Sequence, residues 1–86
     1  MKEPLSVRVD LEVPAAYVTY RRGQSIETYD VTDDGAIAYD LDQDGAIIGI
    51  EILWIDAPKH LESARAFAVQ HGLAFPRDLG GNLVAG

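Results

Sequence analysis

The sequence predicts an α+β fold: a five-stranded, mainly antiparallel β-meander sheet with one C-terminal α-helix packed on it. Three observations carry this expectation. Residues 5–13, LSVRVDLEV, alternate apolar and polar residues without a break, and period two puts successive side chains on opposite faces of a strand. Two Asp-Gly pairs, at 34–35 and 44–45, bracket a short apolar run, and Asp-Gly supplies the positive φ that tight hairpins need. From residue 56 onward the apolar spacing changes from two to that of a helix.

The first strand is expected over about 5–12 and must end near Pro14, which cannot donate to a ladder. AYVTYRR, with its aromatic and β-branched residues, gives a second strand at about 16–22. Gly23 supplies a turn into a more polar third strand at about 25–31, and AIAYDL forms a fourth at about 36–41. AIIGIEIL, nearly all apolar, reads as a central strand at about 46–54 buried on both faces. A helix is expected over 57–71, with Asp56 as N-cap, Pro58 in its first turn and Gly72 at C′. Ala57, Leu61, Ala64 and Ala68 make its apolar stripe, with Phe67 beside it. In the tail, 73–86, Leu73 and Phe75 are expected on the core and the last six residues are expected to fray.

The 86 residues suffice for a single domain with a modest core. No cysteine is present, which excludes disulfides, thiolate metal sites and a cysteine nucleophile. The longest greasy stretch falls far short of the ~20 residues of a spanning helix, and the N-terminus lacks an apolar signal region. A soluble, cytoplasmic protein without a membrane partner is expected. Net charge is −7, and between Gly23 and Pro58 nine carboxylates occur with no Lys or Arg. Such a surface repels phosphates, so direct nucleic-acid binding is not expected. It suits a basic protein partner, a cation, or simple solvation.

DLDQDGAIIGIE, residues 40–51, matches the calcium-loop pattern at every specified position. Its flanks do not match. Asp33-Asp34-Gly35 leaves no room for an entering helix, and an isoleucine-rich segment follows where the exiting helix should begin. On a strand, Glu51 would stand roughly 20 Å from the turn at ~3.3 Å per residue. No metal and no cofactor are therefore expected, and Glu51 becomes a charge that needs a partner, a dimer contact or solvent.

Other chemistry is sparse. His60 and His71 share a helix side but stand about 16 Å apart at ~1.5 Å per residue, too far for one ion. Asp40 and Asp42 project from one face of a strand end within ~7 Å; such pairs can divide acid and base roles but are more often only solvated. No nucleophile elbow and no phosphate loop occurs. The aromatic residues suggest core or interface anchors. A pocket between helix and sheet, lined by Tyr17, Tyr39, Trp54 and His60, is the candidate enzymatic alternative.

VDLEVPAAYV, DDGAIAYDLDQDGAIIGIEIL and DAPKHL together resemble a small bacterial domain-of-unknown-function family. Its pattern runs roughly Y-D-x-E-A-D-A-L-Y-I, then D-G-V-I-V-D-x-D-x-D-G-x-V-V-G-I-E-I-L-D-A-S. Asp10, Glu12, Ala16, Tyr17, Gly45, Gly49 and Glu51 fall on matching positions. Pro14 replaces the family's Asp, Trp54-Ile55 stands as a two-residue insertion, and the chain beyond residue 72 lies outside the likeness. The resemblance implies a β-meander with a C-terminal helix. Some family proteins resemble acidic, antitoxin-like partners of small basic toxins, which implies an interaction role here.

The combined expectation is a non-enzymatic acidic interaction or regulatory protein, acting as a homo-oligomer, most simply a homodimer. The dimer is expected because one helix cannot cover both apolar faces of residues 46–55. A small enzyme or accessory protein, or a small-molecule or cation binder, is the alternative.

Overall fold

The computed structural model describes residues 1–77 and residue 79 of the chain; the segment expected to fray, 81–86, lies outside the described residues. Five strands and one helix are named among the described residues: β1 (Ser6–Asp10), β2 (Ala15–Thr19), β3 (Glu27–Asp30), β4 (Ile37–Leu41), β5 (Ile47–Leu53) and α1 (Pro58–Gln70). All pairings are antiparallel, in one open sheet of order β1-β2-β5-β4-β3. The expected α+β architecture is the observed one.

Within that architecture the order is not sequential. β1–β2 is one hairpin and β3–β4–β5 a three-stranded meander, joined where β2 pairs β5. β5 is the longest and most apolar strand, so the centre of the sheet is where its isoleucines bury most surface. Polar β3 takes one edge. The chain from β2 to β3 must then pass the ends of β5 and β4, about 14 Å at ~4.8 Å per strand, and residues 20–26 make this crossing.

The crossing wraps the β4–β5 hairpin tip. Tyr20 and Arg21 donate their N–H groups to the Ile48 carbonyl at 2.7 and 3.2 Å, and Ile26 N–H reaches Leu41 O at 2.9 Å. The tip is a three-residue loop: Asp42 N–H bonds Ala46 O at 3.0 Å, Gly45 N–H bonds Asp42 O at 3.0 Å, and Gly45 takes φ 78°. Only the glycine needs a positive φ here, the usual geometry of a type I turn closed by an αL residue. The Asp42 side chain completes the tip. Its Oδ1 accepts the N–H groups of Asp44 and Ala46 at 2.9 and 3.0 Å, and its Oδ2 meets Arg21 Nε at 3.1 Å.

Side-chain alternation along β5 sorts the sheet into two faces. Ile50 and Ile52 point with Ala16, Val18 and Ile37 into the core, against Ala64 and Ala68 of α1. Leu61 and Phe67 flank that stripe, and Leu73 and Phe75 pack on it as expected. The other face carries Gly49 and Glu51. β5 is therefore not apolar on both sides, which corrects the ground for expecting a second copy over residues 46–55. The row of large apolar residues left exposed belongs to β1 and its flanks instead.

The helix begins one residue later than expected. Ala57, not Asp56, is the N-cap and makes no side-chain cap bond. Trp54 adopts φ 52° and its carbonyl takes the Ala57 N–H at 2.9 Å, so a turn over 54–57 occupies the position where an Asp56 cap would sit. At the other end Gly72 (φ 72°) completes a Schellman motif, with Leu73 N–H on Ala68 O at 2.8 Å and Gly72 N–H on Val69 O at 3.1 Å. The chain then runs beside the N-terminus: Lys2 N–H bonds Gly72 O at 2.9 Å and Ala74 N–H bonds Lys2 O at 2.8 Å. The Tyr20 hydroxyl, pushed up to about 12 by burial and by the Glu3 charge, donates to Ala74 O at 2.8 Å.

Asp42 is held below the ordinary carboxylate range, chiefly by the Ala46 N–H and further by Asp44 N–H and Arg21, against the opposing effect of burial. Asp34 is lowered too, first by the Thr32 hydroxyl and then by the Ala36 N–H. A carboxylate whose folded pKa lies below its unfolded value of about 3.9 stabilises the fold fully above that value. The contribution disappears as pH falls through the folded-state pKa. The melting temperature should hold steady from about pH 7 to 5 and fall below about pH 4. Asp42→Asn should lower it at neutral pH and flatten the acid limb. Equal acid slopes in the two proteins would contradict the role given to Asp42.

Candidate functional site

The face of the sheet turned away from α1 is built by register. Arg8 stands opposite Tyr17, Tyr17 opposite Glu51, Glu51 opposite Ala38, and Ala38 opposite Asp30. One step along, Ser6, Thr19, Gly49, Asp40 and Thr28 form the neighbouring row. Arg8, Asp30 and Glu51 are exposed, while Tyr17 and Asp40 are half-buried. Apart from Ala38 and Gly49, both rows are polar.

Tyr17 is the organising residue. A Cβ on Gly49 would come within 2.5 Å of the Tyr17 ring and hydroxyl, so the missing side chain is the space in which the phenol lies. A glycine inside a strand commonly marks such a close approach. Lying across β5, the phenol donates to Asp40 Oδ2 on β4 at 2.6 Å. The other oxygen of Asp40 accepts from the Thr28 hydroxyl on β3. Strands β2, β4 and β3 are thus tied through one carboxylate, with two neutral donors and, among the described residues, no cation bonded to it.

The Tyr17 phenol is raised far above its ordinary value, first by burial, then by the hydrogen bond to Asp40 and the charges of Asp40 and Glu51. A phenol in that state neither releases nor accepts a proton near neutral pH. It positions Asp40 and insulates it from water on one side. Beside it, a shallow depression of about 650 Å³ opens between Arg8, Asp10, Glu12, Ala15, Tyr17 and Glu51. Two carboxylates in that depression lie close to the hairpin turn, where Asp10 Oδ1 accepts the Glu12 N–H at 3.0 Å.

The residues proposed from sequence as one pocket are distributed over three places. Tyr17 and Glu51 share the open face. Tyr39 points to the opposite side, its ring 4.8 Å from Phe67 and 5.8 Å from Tyr29. Trp54 and His60 meet at the start of α1, ring centroids 6.4 Å apart. There His60 Nδ1 lies 2.9 Å from Leu53 O and 3.2 Å from Trp54 O, and Nε2 lies 4.0 Å from Asp34. This imidazole fastens the helix start to the end of β5. His71 is exposed and its ring rests on Phe67 at 4.4 Å.

Asp40 and Asp42 do not form a pair. Asp40 serves the open face, whereas Asp42 is buried in the hairpin tip with both oxygens engaged. Among the described residues no group of three His, Asp or Glu side chains is arranged to hold a metal ion, and no helix is long and apolar enough to cross a membrane. The Tyr17–Asp40–Thr28 network was not anticipated from sequence, although Gly49 within a strand was its signal. No family model, curated protein or solved structure matches the chain.

Gly49→Ala should force the Tyr17 ring off Asp40 and cost about 1–3 kcal/mol. Tyr17→Ala removes the obstacle, so the alanine should cost much less in the double variant. Denaturant melts of the four proteins read this coupling, and strictly additive losses would show that the ring does not occupy the Gly49 position.

Proposed function

We propose that the chain is a non-enzymatic interaction protein that works as a homo-oligomer and engages a basic protein partner through the open face of its sheet. One observation carries this reading. Register places Asp10, Asp30, Asp40 and Glu51 on that face with Arg8 as the single cation beside them, and residues 23–58 contribute no Lys or Arg. A surface of one sign attracts an oppositely charged partner and steers its approach.

Other features fit the same reading. Asp40 is fixed by Tyr17 and Thr28 rather than neutralised by a cation, so its charge stays available to a docked molecule. The rigid, half-buried Tyr17 ring offers an aromatic surface on which a guanidinium can stack. The family resemblance carried by residues 9–60 includes acidic partners of small basic toxins, which belongs to the same class of role.

Immobilised protein exposed to a lysate of its native host should retain a basic protein at low ionic strength. It should release that protein at about 0.5 M salt, where screening acts over only a few ångströms. Asp30→Lys combined with Glu51→Lys, both at exposed positions, should abolish retention while leaving the melting temperature within a few degrees. Retention of the same partner by the charge-reversed protein, or of nothing at low salt, sinks the reading.

A further inference from the structure

We propose that β1 is the oligomerisation surface, and that its occupant is β1 of a second copy, paired antiparallel about a two-fold axis at Val9. This rests on the homo-oligomer named above and supplies its surface.

β1 is exposed along its whole length, although its sequence alternates as a strand that should bury one face. Leu5, Val7, Val9, Leu11 and Val13 are 56, 39, 46, 70 and 51% exposed. Val7 and Val9 lie beside Val18 and Ala16, on the same side of the sheet as α1, but α1 packs over β4 and β5 and does not extend to them. Val7 and Val9 lie within β1, Leu5 precedes it, and Leu11 and Val13 stand in the 11–14 turn; an apolar row along an edge strand and its flanks is an unfinished layer.

The backbone of β1 is equally unfinished, and its phase can be worked out. Tyr20 N–H bonds Ile48 O on β5, so the peptide groups of Val18 and Ala16 also face β5, and those of Ala15, Tyr17 and Thr19 face β1. Their register partners Asp10, Arg8 and Ser6 bond back to β2. Val7 and Val9 therefore present their N–H and C=O groups to the free edge. A second strand can add there without disturbing any bond among the described residues.

Charge selects the occupant and the register. An isologous antiparallel pair must be centred on a residue. Centring on Arg8 sets Arg8 against Arg8 of the other copy, and centring on Asp10 sets Asp10 against Asp10. Like charges directly opposite are destabilising. Centring on Val9 sets Arg8 against Asp10 twice, as close non-hydrogen-bonded pairs on the open face. Val9 then meets Val9 with both backbone bonds formed, while Val7 lies beside Leu11 at the start of the other copy's 11–14 turn. A Val7 centre would set Ser6 against Arg8 and form no ion pair, so of the two outward-facing centres Val9 is the one that pairs the charges. The product is a ten-stranded sheet with the two acidic faces on the same side.

The test is the mass of the intact chain by light scattering and sedimentation from low to high micromolar concentration. Wild type should be a dimer. Arg8→Asp alone and Asp10→Arg alone should each raise the dimer dissociation constant tenfold or more, because every cross-strand pair becomes like-charged. Mixing the two variants makes every pair opposite again and should restore a dimer near wild-type strength. Circular dichroism of each variant checks that the monomer remains folded, since Asp10 also closes the hairpin turn. Val9→Lys, at an exposed centre, gives a third dissociating variant independent of that turn. A monomeric wild type overturns the surface and the homo-oligomer together. A dimer indifferent to Val9→Lys and to both charge variants overturns the surface alone, as does failure of the mixture to recover.

Discussion

The carboxylate of Asp42 accepts two N–H groups from its own hairpin tip with one oxygen and the guanidinium of Arg21 with the other. Arg21 lies on the crossing that carries the chain from β2 past the ends of β5 and β4 to β3. The single side chain thus fastens two segments that no strand pairing joins. The crossing is the cost of placing β5 at the centre, and that position lets Ile50 and Ile52 be buried while Glu51, between them, stays in water. Loss of the clamp would leave two partly buried turn N–H groups unpaired and the crossing held by its backbone bonds to Ile48 and Leu41 alone.

With β5 central, the two faces acquire separate duties. The face under α1 is filled by isoleucine, valine and alanine, with Tyr39 and Phe67 in contact at its margin. On the other face the same strand offers a glycine and a glutamate. The glycine admits the Tyr17 ring, and the ring reaches Asp40 across the strand it covers. Glu51 needs no buried partner because it stands on the solvated side. The calcium-like spelling of residues 40–51 resolves into three unrelated tasks: Asp40 for the open face, Asp42 for the tip, Glu51 for the surface.

Much of this was legible from the residues. Every strand and the helix were expected within a few residues of where they lie, because alternation, Asp-Gly turns and the shift to helical spacing are local signals. Strand order was not legible, since the β2–β5 pairing joins segments distant in sequence and depends on which strand gains most from the centre. The assignment of Tyr17 to the same pocket as Tyr39 overlooked a readable pattern. Ala16, Val18 and Tyr20 set the inward phase of β2, so Tyr17 must face out. The Asp56 cap was displaced by the αL conformation of Trp54, which no propensity favours in so bulky a residue. The alternation of residues 5–13 marks a strand but overruns it, since β1 ends at Asp10 and 11–14 turn; alternation reports which residues want cover and says nothing about whether the same chain provides it.

The non-sequential order also has a kinetic meaning. The β1–β2 hairpin closes over a short loop, and the β3–β4–β5 meander with its helix is likewise assembled from neighbours in sequence. Within the sheet the ladder between β2 and β5, where Ala15 faces Leu53, is the pairing that needs distant segments to meet, and its loop-closure entropy is the largest there. Contact order favours formation of the two local units ahead of their junction. In the native state the same junction is the natural line of sub-global opening, so amide protons along β2 report the integrity of the whole sheet while those within the meander outlast them.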